Sequence, residues 1–173
     1  MILSWGKPGQ YVRKLSNSET NSNPWIEFYP AVDGSTTLTP TKGEKKEAKV
    51  EGGDVEAVKY GRNTYALETQ MRKGNDNGTL RRPLFDDNDG LVEGEYEYML
   101  VPENGAAEGI HIEKCILTVE DSYTAADGAM WKITVDAVKP ASGNTVKFGT
   151  VSVTRGADKK ISAITFSENK AEA

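Results

Sequence analysis

The chain has 173 residues, of which 37% are hydrophobic and 27% are charged, and this size and composition favour one folded domain. Its single cysteine excludes an intrachain disulfide framework, and its single histidine excludes a metal site built from several histidines. A net charge of −5 excludes the basic footprint with which proteins grip nucleic acid phosphates.

The two ends of the sequence predict a protein made in the cytoplasm as one domain. Residues 1–6 have neither a basic start nor an apolar run, so we expect no signal peptide. No stretch approaches the 18 or more apolar residues of a membrane-spanning helix, so we expect no membrane partner. Residues 167–173 are small and polar and predict a tail, which leaves a single β-rich domain over residues 1–166.

Short segments of alternating polar and apolar residues, bounded by turn formers, predict strands along the whole chain. The 17 glycines and 7 prolines leave few stretches for a long helix. In chain order, the predicted strands occupy residues 25–29, 44–51, 55–60, 63–71, 93–101, 110–120, 129–138, 145–153 and 160–166. Residues 79–89 could form one short helix, although Pro83 limits it, so we expect at most one short helix in the chain. About nine or ten strands at this spacing predict a mainly β, single-domain barrel or sandwich.

The dipeptide Gly61-Arg62 predicts a tight turn between two of these strands. Val55–Tyr60 would then pair with Asn63–Met71 as a hairpin. Tyr65 and Leu67 share one face of its second strand.

Acidic turns raise the question of a calcium site. An EF-hand loop needs oxygen ligands at its first, third and fifth positions, glycine at the sixth and glutamate at the twelfth. Aligning either Gly78 or Gly90 with the sixth position leaves the first and twelfth positions without carboxylates. A looser site formed by Asp86, Asp87 and Asp89 is the alternative to a solvated turn, and we expect the solvated turn.

His111, Glu113 and Cys115 alternate along one predicted strand and could form a cysteine–histidine–glutamate cluster. Three such side chains span about 13 Å along a strand, which disfavours direct hydrogen bonding between them. The sequence contains neither a GxSxG nucleophile turn nor a glycine-rich phosphate loop. We therefore predict no enzyme activity, no catalytic residue, no metal and no cofactor.

A long acidic window is the strongest charge feature. No lysine or arginine lies between Pro83 and Glu113. Glu93, Glu95 and Glu97 fall on one face of a predicted strand, where like charges repel unless lysines of residues 42–49 balance them across the sheet.

Three segments of the sequence resemble the tail tube proteins of long-tailed bacteriophages, above all those of phages and prophages of Bacteroidales bacteria. The segments are EGGDVEAVKYGRNTYALE, DDNDGLVEGEYEYMLVPE and GIHIEKCILTVEDSYTAADGAMWKITVDAVKP, and the opening MILSWGKPG belongs with them. The resemblance covers roughly residues 1–155. It implies a small β-barrel or sandwich with one flanking helix, similar to the tube protein of type VI secretion.

The resemblance also implies a structural role. Family members form hexameric rings whose inner strands join into one barrel, and stacked rings make the tube through which DNA passes. The expected partners are further copies of the chain and other tail proteins, with DNA passing without specific binding. The expected location is the virion tail, after synthesis in the cytoplasm of the bacterial host.

Two sets of residues then become candidates for this role. Glu93, Glu95 and Glu97 would face the lumen, because a negative wall repels phosphates. Val55, Val58, Tyr65 and Leu67 would lie in strands that pair with a neighbouring copy, as would residues 44–51, because unpaired sheet edges invite another chain.

A non-catalytic β-sandwich that binds a carbohydrate or protein ligand is the alternative function. Trp5, Trp25 and Trp131, together with seven tyrosines, could supply a sugar-binding platform. Packing of these aromatic side chains in the core or at an interface is the competing interpretation.

Overall fold

The structure, a computed structural model, describes residues 1–169 as a mainly β protein. Its strands are β1 (Gly9–Lys14), β2 (Ile26–Glu27), β3 (Thr37–Thr41), β4 (Lys45–Lys49), β5 (Val55–Tyr60), β6 (Thr64–Arg72), β7 (Asn75–Asp76), β8 (Thr79–Leu80), β9 (Asp87–Asn88), β10 (Leu91–Val92), β11 (Tyr96–Val101), β12 (Gly109–Thr124), β13 (Gly128–Ala137), β14 (Lys147–Arg155) and β15 (Ile161–Glu168). The mainly β prediction is confirmed. Over the described residues, ten strands have five or more residues and five have only two.

The short helix that residues 79–89 could form does not occur. This segment contains β8 and β9, and no helix occurs anywhere in residues 1–169. Pro83 removes a backbone donor, and the Asp89-Gly90 turn has positive φ angles of 47° and 90°, which a right-handed helix does not allow. Phe85 fixes the extended segment by inserting its ring into the core.

Eleven strands form one antiparallel sheet, whose main path runs β2-β1-β11-β12-β13-β6-β3. The long strand β12 is the centre of this sheet, because it also pairs with β10 and with β14. β14 pairs in turn with β15, whose other edge has no strand partner among residues 1–169.

The sheet curls strongly but does not close into a barrel, so the barrel prediction is wrong and a sandwich is consistent with the fold. Its end strands β2 and β3 do not pair within the described chain. Side chains nevertheless meet across the curl, where Gln10 Nε2 on β1 donates a hydrogen bond of 3.1 Å to Thr69 Oγ1 on β6. Between the two ends of the sheet, an isolated β-bridge joins Ala31, which follows β2, to Met71 of β6.

Two hydrophobic clusters lie on opposite faces of the central strands. The larger cluster fills the inside of the curled sheet and includes Leu67, Tyr98, Leu117 and Trp131. In the smaller cluster, apolar side chains of β14 and β15, such as Phe166, cover the outer face of β1 and β11. Alternating strands can supply both clusters, because successive side chains point to opposite faces.

The predicted boundary between domain and tail differs from the structure. β15 continues through Glu168, and the Asn169 amide donates a hydrogen bond of 3.0 Å to the Phe148 carbonyl oxygen. The rest of the predicted tail, residues 170–173, lies outside the described residues.

A two-stranded ribbon extends from the sheet, and residues 42–62 that form it are called the arm below. β5 pairs with β4 and not with β6, so the predicted hairpin over residues 55–71 is wrong. The turn lies at Gly52-Gly53, where both φ angles are positive (101° and 91°). At Gly61 the chain continues from β5 towards β6, and the Gly61 amide donates to the Glu44 carbonyl oxygen at 2.8 Å.

Candidate functional site

The exposed carboxylates of the acidic window lie mainly on a short hairpin, residues 86–93, called the acidic hairpin below. β9 and β10 form its strands, and Asp87 accepts a hydrogen bond of 2.9 Å from the Gly90 amide in the turn. Val92 is 2% exposed and fixes the hairpin in the core. Asp86, Asp87 and Asp89 remain exposed and form no ion pair within residues 1–169.

The three glutamates predicted to face a lumen have different surroundings. Glu93 is exposed and has no ion-pair partner within the described chain, whereas Glu95 Oε1 lies 3.1 Å from Lys114 Nζ. Glu97 is partly buried and binds Arg13. No lysine of residues 42–49 forms an ion pair with any of the three, and Lys45 and Lys49 pair with Glu47 instead.

Glu97 is the centre of a network between the two hydrophobic clusters. Its carboxylate lies 2.7 Å from Arg13 Nη2 and 2.9 Å from His111 Nε2. The Arg13 guanidinium lies 4.6 Å from the centre of the Trp25 ring, and the His111 ring lies 4.8 Å from that of Phe166. Burial by itself would raise the pKa of Glu97, but hydrogen bonds from His111 and Arg13 outweigh it and lower that pKa. Glu97 therefore stays ionised, but Arg13 and His111 pair with its charge, so it is a poor candidate for a free charge in a lumen.

The hypothetical cluster of His111, Glu113 and Cys115 does not form. A bulge in the pairing of β11 with β12 lies between these residues, and it changes which side chains face the inside. Cys115 packs in the larger cluster, its Sγ donates to the Tyr96 carbonyl oxygen at 3.2 Å, and burial raises its pKa to about 12. Glu113 pairs with Lys147 instead. A thiol in this environment is not an activated nucleophile.

All eleven strand residues of the arm are exposed. Exposed apolar side chains on the arm are Val50, Val55, Val58 and Tyr60. Both outer edges of its two-stranded sheet have no strand partner within residues 1–169.

The predicted inter-subunit residues divide into two pairs. Val55 and Val58 lie on the arm and are 48% and 46% exposed. Leu67 is 1% exposed and its strand β6 is paired on both sides, with Leu38 of β3 and Val135 of β13. Tyr65 pairs with β3 and packs against the larger cluster. The prediction is therefore wrong for Tyr65 and Leu67, because β6 lies inside the sheet.

The sequence contains one signal for the arm besides the Gly61-Arg62 turn predicted above. Gly52-Gly53, between two segments of β-forming and charged residues, is a stronger hairpin signal than Gly61-Arg62. The network of Arg13, Glu97 and His111 had no comparable signal, because its members come from three distant segments.

A groove of about 690 Å³ opens at one end of the curled sheet. Its walls include Leu38, Leu100, Ile110 and Phe148, with Lys7 at its border. The tryptophans do not contribute a common platform to it. Trp131 is 5% exposed in the larger cluster and Trp25 packs in the smaller one, whereas Trp5 is 76% exposed.

Neither a metal site nor a membrane-spanning helix occurs among the described residues. Over residues 1–169, no group of three or more His, Cys, Asp or Glu side chains is arranged to hold a metal ion, and this includes the three aspartates of the acidic hairpin. None of the described residues forms a helix long and apolar enough to cross a membrane.

Comparison with protein-family models and with curated proteins gave no match to this chain.

Proposed function

We propose that this protein is a structural subunit of a bacteriophage tail tube, which assembles with further copies into stacked rings, hexameric by the resemblance, through which DNA passes. The proposal starts from the resemblance of three sequence segments, and the arm is the observation that carries it. A solitary two-stranded ribbon is marginally stable in water, so an arm of this kind gains its stability from a partner.

The arm has the properties of an assembly element rather than of a monomer's surface. Its two outer edges offer unpaired backbone groups, and its valines are about half exposed. Native monomers blunt such edges or cover them, because they template pairing with another chain. A second copy of the chain would bury both the edges and the valines.

β15 provides a second free edge of the same kind. Its eight residues contain no proline, and their only charge is Glu168 at the end of the strand. A tube of stacked rings requires contacts through two different surfaces of each subunit. One heterologous contact closes the ring, and a second continues the stack as a filament.

The charge distribution fits a conduit for DNA. Phosphates are repelled by negative walls and retained by basic ones through counterion release. Glu93 is the best remaining lumen candidate of the original three, and Glu95 is the second, because its charge is shared with Lys114.

A sandwich that binds a carbohydrate or protein ligand is the second candidate, and the groove favours it. Its volume of about 690 Å³ lies within the range of small-molecule sites. Such a module would run as a monomer and would bind its ligand without the arm.

Deletion of the arm distinguishes the two functions. The two ends of the arm meet at Gly43 and Gly61, because a Cβ on Gly43 would lie 2.1 Å from the Gly61 carbonyl oxygen. Residues 44–60 can therefore be replaced by the two-residue turn Asn-Gly. The matched control replaces residues 75–80 by Asn-Gly, because the Arg81 amide donates to the Gly74 carbonyl oxygen at 2.9 Å at the base of that exposed hairpin.

Assembly is measured by sedimentation velocity and negative-stain electron microscopy over a range of concentrations, with and without purified tail tips. We expect rings or tubes from the unmodified chain and from the control, and folded monomers from the arm deletion. An unmodified chain that stays monomeric under all these conditions would refute the tube function.

A further inference from the structure

The arm has two chemically different faces. Lys46 pairs with Lys59 and Ala48 pairs with Ala57, and these four side chains share one face, because directly opposed residues of a ladder point to the same side. The register shifts after Ala48, and Val55 pairs with Lys49, so Val55 lies on the opposite face. The set of four is called the lysine face below.

The lysines of the opposite face have a carboxylate partner within the arm. Glu47 lies on that face and forms ion pairs with both Lys45 and Lys49. The lysine face lacks such a partner, because neither Lys46 nor Lys59 forms an ion pair with a carboxylate within residues 1–169. Like charges directly opposite each other destabilise a strand pair, so this face needs negative charge from elsewhere.

The acidic hairpin of the same copy cannot reach the lysine face. Pairing continues in one register from Thr41↔Thr64 to Lys45↔Tyr60, so the arm prolongs β6 beyond Thr64. Asp87 lies at the other end of β6, where it lines a small cavity with Met71. Seven residues of extended strand between these ends span roughly 23 Å, and the arm leads away from that cavity.

The acidic hairpin complements the lysine face in charge and in apolar surface. Asp86, Asp87 and Asp89 are exposed there, and Leu91 beside them is 58% exposed. The small side chains of Ala48 and Ala57 leave room for a close approach between the two hairpins.

We propose that the lysine face of the arm binds the acidic hairpin of a second copy, so that Lys46 and Lys59 of one copy meet Asp87 and Asp89 of the next. This inference rests on the proposed tube function and names the surfaces that make its contact. The contact is heterologous, so repetition of it generates a ring or a filament. Its electrostatic part weakens as salt concentration rises.

Charge reversal on each surface tests the pairing. The variants K46E/K59E and D87K/D89K should each lose about tenfold in assembled fraction at low salt, because attraction becomes repulsion. Mixing them should restore assembly, because every contact then joins opposite charges in alternating order. The control K139E/K160E changes the same number of exposed lysines elsewhere and should assemble normally.

A disulfide test detects the contact without relying on complete tubes. The variant K59C/D89C should form dimers and longer ladders under oxidation, whereas K160C/D89C should not. Cys115 does not interfere, because its side chain is fully buried.

The outcomes separate this inference from the function on which it rests. Normal tubes from both reversal variants, or no rescue in the mixture, would overturn the pairing and leave the tube function standing. An absence of K59C/D89C ladders together with normal tubes from the unmodified chain would have the same meaning. Failure of the unmodified chain to assemble, together with an absence of K59C/D89C ladders, would refute both.

Discussion

Gly90 and Val119 are in direct contact through their backbones. The Val119 amide donates to the Gly90 carbonyl oxygen at 2.7 Å, and a Cβ on Gly90 would lie 2.5 Å from the Val119 carbonyl oxygen. Gly90 also has a φ of 90°, which side chains rarely adopt. This contact holds the acidic hairpin on β12 and fixes the direction of its carboxylates.

Replacing Gly90 by alanine should therefore destabilise the fold by about 3 kcal/mol, because backbone strain and a backbone clash add. Gly78→Ala is the matched control, since Gly78 has a φ of 88° but nothing within 4 Å of a Cβ. We expect about 1 kcal/mol for the control. Urea unfolding measures both free energies, and equal values would contradict the close packing of Gly90.

Glu97 should make stability depend on pH in the acid range. Its folded-state pKa is lowered from 4.5, because hydrogen bonds from His111 and Arg13 outweigh the opposing effect of burial. A lowered carboxyl pKa contributes stability that is present above the unfolded-state value and is lost as pH falls through the folded-state value. The free energy of unfolding should thus decrease from about pH 4.5 downwards.

The variant Glu97→Gln tests this assignment. It should cost about 1–3 kcal/mol at pH 7, where a charge-assisted hydrogen bond is lost, and should show a flatter decrease below pH 4.5. Glu95→Gln is the control, because its pair with Lys114 is about half exposed and contributes little. Parallel pH profiles for the unmodified chain and Glu97→Gln would contradict the role of Glu97.

Cys115 should be inert in the folded protein. Burial raises its pKa to about 12, so almost no thiolate forms near pH 8. A thiol reagent should react with it only after denaturation. Cys115→Ala and His111→Gln should leave assembly intact apart from modest packing losses. Rapid labelling of the native protein, or an enzymatic activity lost in either variant, would support a catalytic interpretation.

Leu67 and Val58 should separate folding from assembly. Leu67→Ala should destabilise the monomer by about 2–5 kcal/mol, because it leaves a cavity in the larger cluster. Val58→Asp should change monomer stability by less than about 0.5 kcal/mol, because Val58 is exposed. It should nevertheless reduce the assembled fraction, since a second copy that covers the exposed valines of the arm would bury a charge there. Thermal unfolding and sedimentation measure the two effects, and normal tubes from Val58→Asp would exclude the face that Val58 shares with Glu47, opposite the lysine face, from the assembly.

Glu93 should influence the passage of DNA. In an assembled tail, Glu93→Lys would add an attractive site from every subunit to the conduit, so DNA release should slow, most strongly at low salt. Glu19→Lys makes the same charge change at another exposed position. Release rates that are equal for both variants would place Glu93 outside the lumen.

The sequence by itself determined eight of the ten strands that have five or more residues, all except β1 and β3. Alternation in residues 129–138 correctly identified Trp131, Ile133 and Val135 as one buried face, because the period of two is a property of any strand. The prediction of no enzyme activity rests on the single Cys115 and on the missing catalytic patterns, and it stays a prediction.

Only the tertiary structure decided which strands are neighbours. The sequence prediction paired β5 with β6 through a turn at Gly61-Arg62, yet β6 packs between β3 and β13, where Leu67 is buried in the core. The bulge that separates His111 from Cys115, and the ion pair of Arg13 with Glu97, arise in the same way. Periodicity fixes the direction of a side chain relative to its own strand, whereas its partners depend on contacts between segments far apart in the chain.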